Sequence, residues 1–198
     1  MGGSNHPISL HLLYWQLVYQ KRYLTDYERL SKQLTPAVQR SAQGQSLAAQ
    51  LEHVRNQPLV GRLAPAFTLA DTAGAPVALA AYRGRCVLLD FWGYWCGPCI
   101  RAMPQLEALA EQQAGRLAVI GIAAEDASDA ALWKKAVRSH QMPGAQLSEL
   151  QFDKGPVTQQ YNISGFPTYL LLDRVGIVRV RTNDLRDIER GLLTVKDL

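Results

Sequence analysis

Apolar residues in this chain form short continuous runs separated by longer segments of mixed polarity. The run 86–92 is apolar except at Asp90, and the run 117–123 contains only apolar residues and one glycine. Runs of this kind are typical of strands that are buried on both faces of a sheet. The pattern predicts strands over Val77–Leu79, Cys86–Trp92, Leu117–Ala123, Pro167–Asp173 and Ile177–Arg181.

Between these runs, apolar residues recur every three or four positions, which is the period of a helix with one buried face. Helices are predicted over 97–113, 129–140 and 186–196, and Asp129 is a candidate N-cap of the second. The residues of that helix predicted to face inward are Leu132, Trp133, Ala136 and Val137. Strands that alternate with helices and end in a hairpin around 174–176 predict an α/β fold with a mixed sheet and helices on both faces.

The first part of the chain differs in composition from the rest. Residues 8–57 contain a single glycine and are rich in Leu, Gln, Ala and Arg, which predicts a helical extension. Thr25 and Glu28 match a capping box, and Thr35-Pro36 matches an N-cap followed by proline. The extension either packs against a domain or acts as a partner-binding arm.

Length and composition fit one compact domain that carries this extension. The chain has 198 residues, of which 47% are hydrophobic, and its formal net charge is +4. We divide it into a helical extension over 1–57, in which residues 1–4 resemble a tag remnant, and a main domain over 58–198. Basic residues occur in small groups without the motif of a nucleic-acid-binding protein. The charge therefore indicates a solvated surface and no nucleic-acid partner.

Two cysteines lie three positions apart, directly after the run 86–92, where a strand turns into a helix. A disulfide needs Cα atoms about 4.4–6.8 Å apart, and a first helical turn provides that distance. Cys96 is at the helix start, where free amides and the helix dipole lower the pKa of a thiol. Pro98 pre-sets the helical backbone, and Gly97 leaves room for a partner. We predict Cys96 as the attacking thiolate and Cys99 as the resolving, more buried thiol.

The same Cys-x-x-Cys spacing also occurs in zinc sites, which need four ligands. Cys86 is the only other cysteine, and the four histidines are scattered singly. The ligand count therefore indicates a redox pair and no metal. The Cys96–Cys99 disulfide is expected to be the redox group, with no further cofactor. Cys86, at the start of an apolar run, is interpreted as a structural residue.

Asp90 is the one charged residue in the run 86–92. A buried carboxylate is unfavourable unless it is paired or used, and burial raises its pKa. A carboxylate of raised pKa suits the transfer of a proton from Cys99, so Asp90 is a candidate catalytic base. The alternative is that Asp90 forms a structural ion pair.

Several segments of the main domain resemble one superfamily. Val87–Cys99 resembles the strand and active-site signature of thioredoxins, and Ser164–Thr168 resembles their cis-proline loop. Gly61–Leu69 resembles the opening segment of the TlpA/ResA-type branch of bacterial thiol-disulfide oxidoreductases, which is related to AhpC/TSA proteins. The chain between the run 117–123 and Pro167 is longer than in a minimal thioredoxin, as it is in that branch.

The resemblance implies a thioredoxin-like three-layer fold with a mixed central sheet, an inserted αβ unit after the active-site helix, and an N-terminal helical extension. It implies a cis bond between Phe166 and Pro167 beside the thiols, and Pro104 is expected to interrupt the active-site helix. The residues that it places at the substrate are Trp95, Gly97, Pro98, Phe166 and Pro167. The branch often has a Glu three positions after the second cysteine, where this chain has Ala102. Asp90 is then the carboxylate expected to move the proton.

These observations predict thiol-disulfide exchange in the direction of protein-disulfide reduction, because Gly-Pro is the dipeptide between the cysteines of the reducing thioredoxins. The resemblance implies protein disulfide or dithiol substrates and an upstream thiol electron donor. It also implies a location in the periplasm or on the outer face of a bacterial membrane. This chain would then be the C-terminal part of a longer protein, whose preceding part can tether it to the membrane.

Two other functions remain open from the sequence. The segment 64–67 is shared with peroxiredoxins, which reduce peroxides, although residues 89–96 lack the Pro and the Thr of their Pro-x-x-x-Thr-x-x-Cys motif. The other alternative is a non-enzymatic binding module of thioredoxin fold, in which the disulfide only locks the structure.

Overall fold

A computed structural model describes residues 29–56, 58 and 60–195. Contacts along the chain separate two compact units, and the division falls after residue 57. The capping box predicted at Thr25 and Glu28 lies outside the described residues. In the described part of the chain, no helix is long and apolar enough to cross a membrane.

Among the described residues of the first unit, a helical segment over 29–32 is followed by two complete helices, α1 (Pro36–Arg40) and α2 (Ala42–Asn56). Thr35 is the N-cap of α1 and a proline opens the helix, as the sequence predicts. The two helices approach closely at Gly44, where an added Cβ would lie 2.1 Å from the carbonyl oxygen of Val38. The predicted helical character is therefore confirmed for the described part of this unit.

The second unit is built on one seven-stranded sheet. Its strands are β1 (Thr68–Asp71), β2 (Pro76–Ala78), β3 (Cys86–Trp92), β4 (Leu117–Ala123), β5 (Ala145–Ser148), β6 (Thr168–Leu172) and β7 (Val178–Thr182). They lie in the order β2-β1-β5-β4-β3-β6-β7. The pairs β3–β4 and β4–β5 are parallel, and the other pairs are antiparallel, so the predicted mixed sheet is confirmed.

Four helices accompany this sheet in the described residues of the second unit. They are α3 (Gly97–Gln112), α4 (Ala130–Ser139), α5 (Pro156–Gln160) and α6 (Leu185–Thr194). Short 3-10 turns cover Leu79–Tyr82, Ala127–Asp129 and Phe152–Lys154. Helix α4 and strand β5 follow β4 and form the predicted inserted αβ unit, which places β5 between β4 and β1.

The side chains of β3 alternate between two cores, one on each face of the sheet. Val87, Leu89 and Phe91 pack in one core together with Val157 of α5. Leu88 packs on the other face with residues of α3 and α6, and Trp92 packs with Cys99 at the start of α3. Because alternate residues share a face, Asp90 faces the side that α3 covers.

Helix α3 runs without interruption, so the predicted break at Pro104 is wrong. Met103, Leu106 and Leu109 are buried on both sides of the proline. Their burial holds both halves of the helix on the sheet. We infer that it outweighs the loss of the one backbone hydrogen bond that a proline cannot donate.

The predicted inward face of α4 is wrong at one position. Trp133 is buried, and Ala136 and Val137 are half-buried, whereas Leu132 is 47% exposed. Ala136 and Val137 follow Trp133 by three and four positions and therefore share its face, while Leu132 is turned away from it by about 100°. Asp129 is the N-cap residue, but its side chain makes no capping hydrogen bond.

Two glycines with left-handed backbone provide a matched test of the packing around β5. At Gly144 (φ +72°) an added Cβ would lie 2.0 Å from the carbonyl oxygen of Val119 in β4, whereas Gly74 (φ +88°) has nothing within 4 Å. We expect Gly74→Ala to lower the free energy of unfolding by about 1–2 kcal/mol through backbone strain alone. Gly144→Ala should lower it further, because the backbone of β4 must move. Urea denaturation measures both losses, and equal losses would contradict the importance of this close approach.

Candidate active site

Cys96 and Cys99 form a disulfide at the start of α3, with their Cα atoms 5.2 Å apart. Cys96 is the N-cap of α3, and its Sγ accepts a hydrogen bond from the amide of Cys99 at 3.2 Å. Cys96 is 4% exposed and Cys99 is 3% exposed. The prediction that Cys99 is distinctly more buried than Cys96 is therefore wrong. What distinguishes them is position, because only Cys96 precedes the first helical turn.

The predicted substrate-facing residues lie on both sides of this disulfide. Gly97 and Pro98 are exposed in the first turn of α3, and Trp95 is 45% exposed. The bond between Phe166 and Pro167 is cis, as predicted. Phe166 packs against the cluster that contains both cysteines. The cis-proline loop and the cysteines, far apart in sequence, therefore meet at one edge of the sheet.

Asp90 is the buried carboxylate that the sequence singled out. It is 3% exposed, and its Oδ1 has no hydrogen-bond partner among the described residues. Burial alone raises its pKa to about 7. Across the sheet it lies opposite Gly121 and Tyr169, and burial together with the charge of Asp90 raises the pKa of Tyr169. No ion pair is found for Asp90 in the described residues, which favours the proton-transfer interpretation over the structural one.

A second buried carboxylate, Glu125, was missed by the sequence analysis. It follows β4 by two residues and is 1% exposed. Its Oε1 accepts the amide of Tyr94 at 2.7 Å, while its Oε2 is buried without a hydrogen-bond partner in the described part of the chain. Burial raises its pKa to about 7. The charges of Asp129 and Asp126 also raise this pKa, whereas the hydrogen bond from the Tyr94 amide lowers it. The sequence analysis named Asp90 as the carboxylate of the site. The structure adds Glu125 as a second one.

A signal for Glu125 is present in the sequence. The carboxyl ends of neighbouring parallel strands lie at the same edge of a sheet. Glu125 comes two residues after the run 117–123, and Cys96 comes four residues after the run 86–92. If these two runs are paired in parallel, an acidic residue directly after one must lie near the cysteines that follow the other.

Other charged or ligating groups contribute less to the site. The guanidinium of the exposed Arg101 lies close to Gly97, since an added Cβ at Gly97 would be 3.4 Å from its Nη1. Cys86 is free and fully buried at the other end of β3, and burial is the main cause that raises the pKa of its thiol. In the described ranges, no group of three or more His, Cys, Asp or Glu side chains is arranged to hold a metal ion.

Known proteins resemble this chain in sequence and in fold. The chain matches the model of the AhpC/TSA family over residues 60–181. The thioredoxin-like protein YneN of Bacillus subtilis is 31% identical over 138 residues, covering 70% of this chain and 75% of that protein. The thiol-disulfide oxidoreductase ResA of Geobacillus kaustophilus is 33% identical over 143 residues, covering 69% and 78%. The structure of a thiol-disulfide oxidoreductase from Bacteroides fragilis is 25% identical, with a TM-score of 0.62, and covers 68% of this chain and 100% of that one.

The mixed sheet, the cysteine pair at a helix start and the cis-proline loop define a member of the thioredoxin superfamily. Within it, the chain belongs to the AhpC/TSA family and is a TlpA/ResA-type, thioredoxin-like thiol-disulfide oxidoreductase. The predicted superfamily, fold class and enzyme class are thereby confirmed.

Asp90 is expected to lower the stability of the protein at neutral and higher pH. Its pKa is about 7 in the folded protein and 3.8 ordinarily, so between about pH 4 and 7 the unfolded chain loses this proton first. The free energy of unfolding therefore falls across that window. Asp90→Asn should remove this loss, so its gain in stability over the parent should be larger at pH 8 than at pH 4.5.

Urea denaturation of the oxidised protein at several pH values measures this difference. Asp153→Asn, at an exposed carboxylate, is the matched control and should show a much smaller change with pH. A gain from Asp90→Asn that does not vary with pH would contradict a raised pKa at Asp90.

Proposed function

We propose that this chain reduces protein disulfides, with Cys96 as the attacking thiolate and Cys99 as the resolving thiol. The observation that carries the proposal is the position of Cys96 Sγ, which accepts an amide hydrogen bond at the start of α3. Amides and the helix dipole at this position stabilise a thiolate. Exposed Gly97 and Pro98 give a substrate access to the pair.

The proposed reaction begins with both cysteines reduced. The Cys96 thiolate attacks one sulfur of the substrate disulfide, forms a mixed disulfide and releases the first substrate thiolate. The Cys99 thiol then loses its proton and attacks Cys96 Sγ, which forms the Cys96–Cys99 disulfide and releases the second substrate thiolate. Two electrons have then passed from the protein to the substrate. An upstream dithiol must reduce the Cys96–Cys99 disulfide before the next cycle.

We propose Asp90 as the base that takes the proton of Cys99. Asp90 faces the side of the sheet that α3 covers, and burial raises its pKa to about 7. A base with a pKa near the working pH transfers protons effectively in both directions. The proton taken up during resolution can then be returned when the disulfide is reduced again.

Separate observations support the proposed direction of the reaction, its partners and its location. The Gly-Pro dipeptide is that of thioredoxin, whose potential lies near about −270 mV, against about −120 mV for a strong periplasmic oxidant. Relatives named thiol-disulfide oxidoreductases support protein thiols and disulfides as the substrates and redox partners. We place the protein in the periplasm or on the outer face of a bacterial membrane, by analogy with TlpA/ResA-type proteins. No cofactor besides the cysteine pair is proposed.

Cysteine variants test the two thiol roles. Cys96→Ser should abolish the reduction of insulin, because the attacking sulfur is lost, whereas Cys99→Ser should accumulate a mixed disulfide with the substrate. Insulin turbidity and mass spectrometry of acid-quenched samples measure both effects. Cys86→Ala, at the buried free cysteine, is the control and should retain activity. Equal residual activity in the first two variants, or turnover of hydrogen peroxide in place of disulfides, would contradict the proposal.

An Asp90 variant tests the base. Asp90→Asn should slow the resolving step by about a hundredfold near pH 7, because general base catalysis is lost, and should leave the first attack by Cys96 less affected. Rapid quenching at several pH values separates the decay of the mixed disulfide from its formation. Asp153→Asn is again the matched control. If the mixed disulfide decays at the same rate in Asp90→Asn as in the parent, a group other than Asp90 is the base.

A further inference from the structure

The end of the sheet opposite the disulfide carries a group of arginines. β3 and β4 begin there side by side, since Cys86 pairs with Leu117, and an arginine directly precedes each strand. The turn between β6 and β7 lies at the same end, because Leu172 pairs with Val87 and with Val178. We call this surface the basic end and define it by six exposed arginines of the described residues: Arg62, Arg83, Arg85, Arg116, Arg174 and Arg179.

Contacts between segments distant in sequence draw these arginines together. The amide of Gly84 donates a hydrogen bond to the carbonyl oxygen of Arg174 at 2.9 Å. The guanidinium of Arg83 lies against the same turn, since an added Cβ at Gly176 would be 2.6 Å from Arg83 Cζ. The segment before β3 and the turn after β6 therefore present their arginines on one surface.

Exposed apolar side chains lie among the arginines. Residues 61–64 run beside the start of β7, where the amide of Val178 donates to the carbonyl oxygen of Arg62 at 2.9 Å. Leu193 lines a cleft together with Arg116. Four of the six large apolar side chains that are exposed in the described part of the chain lie at this end, with 60–87% of their surface exposed: Val60, Leu63, Val175 and Leu193.

Negative charge is sparse at the basic end. The carboxylates near it are Asp173, Glu111 and Glu189, so the arginines outnumber them two to one. Asp173 is buried and forms an ion pair with Arg179 at 2.6 Å. The carboxylates that follow β4 and β5 lie instead at the active-site edge: Glu125, Asp126, Asp129 and Asp153. The two ends of the sheet therefore differ in the sign of their charge.

We propose that the basic end binds the surface of an anionic lipid bilayer. A guanidinium matches a lipid phosphate with two parallel hydrogen bonds, and a cluster of basic residues is attracted to an anionic membrane surface. The exposed apolar side chains among the arginines would enter the boundary between headgroups and acyl chains. These side chains are aliphatic, whereas single-stranded nucleic acids are bound by stacking on aromatic rings, so the surface favours lipid.

Binding in this way would leave the active site open. The seven residues of β3 separate the basic end from the start of α3 by about 20 Å. The disulfide then faces away from the bilayer, where a substrate can reach it. The proposal goes beyond the redox function and does not depend on the direction of the reaction.

Cosedimentation of the 198-residue chain with vesicles tests the proposal. We expect binding at about 0.15 M salt to vesicles in which about a third of the lipid is phosphatidylglycerol, and much weaker binding to pure phosphatidylcholine. The double variant Arg85→Gln, Arg174→Gln should bind the anionic vesicles about thirtyfold more weakly. Its matched control removes two exposed charges at the active-site end, Arg101→Gln and Lys154→Gln, and should lose much less.

A second pair of variants tests the apolar contribution. Val175→Ser should weaken binding about fivefold, because its side chain leaves water in the complex. Leu132→Ser makes a comparable change at a residue that is 47% exposed on α4, near the active-site end, and should bind like the parent. Circular dichroism checks that each variant is folded.

The orientation has its own measurement. In the reduced protein, Cys96 should be alkylated by a water-soluble reagent as fast with bound vesicles as without them. Marked slowing of this reaction would contradict a bilayer at the basic end.

Other outcomes would also overturn the proposal. They are a parent that does not bind the anionic vesicles, and arginine variants that bind like the parent. If a short DNA duplex competes with the vesicles and Val175→Ser binds like the parent, the basic end is a general polyanion site and the proposal is wrong. A parent that binds vesicles but does not reduce insulin would overturn the proposed function and leave this inference intact.

Discussion

The pairing of β3 with its two neighbours is the constraint on which the active site depends. β3 and β4 run in parallel through seven residue pairs, from Cys86 with Leu117 to Trp92 with Ala123. Their carboxyl ends therefore lie at the same edge. β6 is antiparallel to β3, so its beginning, just after the cis-proline, lies at that edge as well. The backbone pairing of β3 therefore brings three segments distant in sequence to this edge.

The same burial that stabilises the sheet raises the pKa of the two carboxylates near this edge. Asp90 and Glu125 each lie almost without solvent contact, and each has an oxygen without a hydrogen-bond partner in the described residues. Their environments nevertheless differ. Glu125 accepts the amide of Tyr94, and this bond opposes the rise of its pKa, whereas burial alone acts on Asp90. We infer that Glu125 mainly positions the loop before Cys96, while Asp90 is the freer proton acceptor.

Much of the fold and of the disulfide site follows from the sequence, because the responsible signals are local. Each of three short segments predicts its own structure: the apolar run of β3, the cysteine pair and Phe166-Pro167. The predictions were wrong at positions where tertiary packing determines the local structure. Burial on both sides of Pro104 keeps α3 continuous, and Leu132 is exposed because Trp133 determines the inward face of α4.

The sequence analysis missed Glu125 and Phe152 for the same physical reason. Glu125 becomes part of the site only once the register of β3 and β4 is known. Phe152 shows neither apolar periodicity nor a motif, and its left-handed backbone is one that glycine or asparagine would ordinarily signal. Its place beside Trp95 follows from the path of the chain after β5 and from the amide bond to Glu125. Both residues are defined by contacts between distant segments.

The surroundings of the cysteines come partly from the central strands and partly from the inserted unit. The state of the cysteines depends on the start of α3 and on the buried face of β3. The ring contact between Trp95 and Phe152 depends on the segment that follows the inserted β5. The inserted unit therefore contributes to the surroundings of the residue directly before Cys96. The inserted strand extends the sheet from β4 to β1, and the chain that leaves it returns to the edge where the disulfide lies.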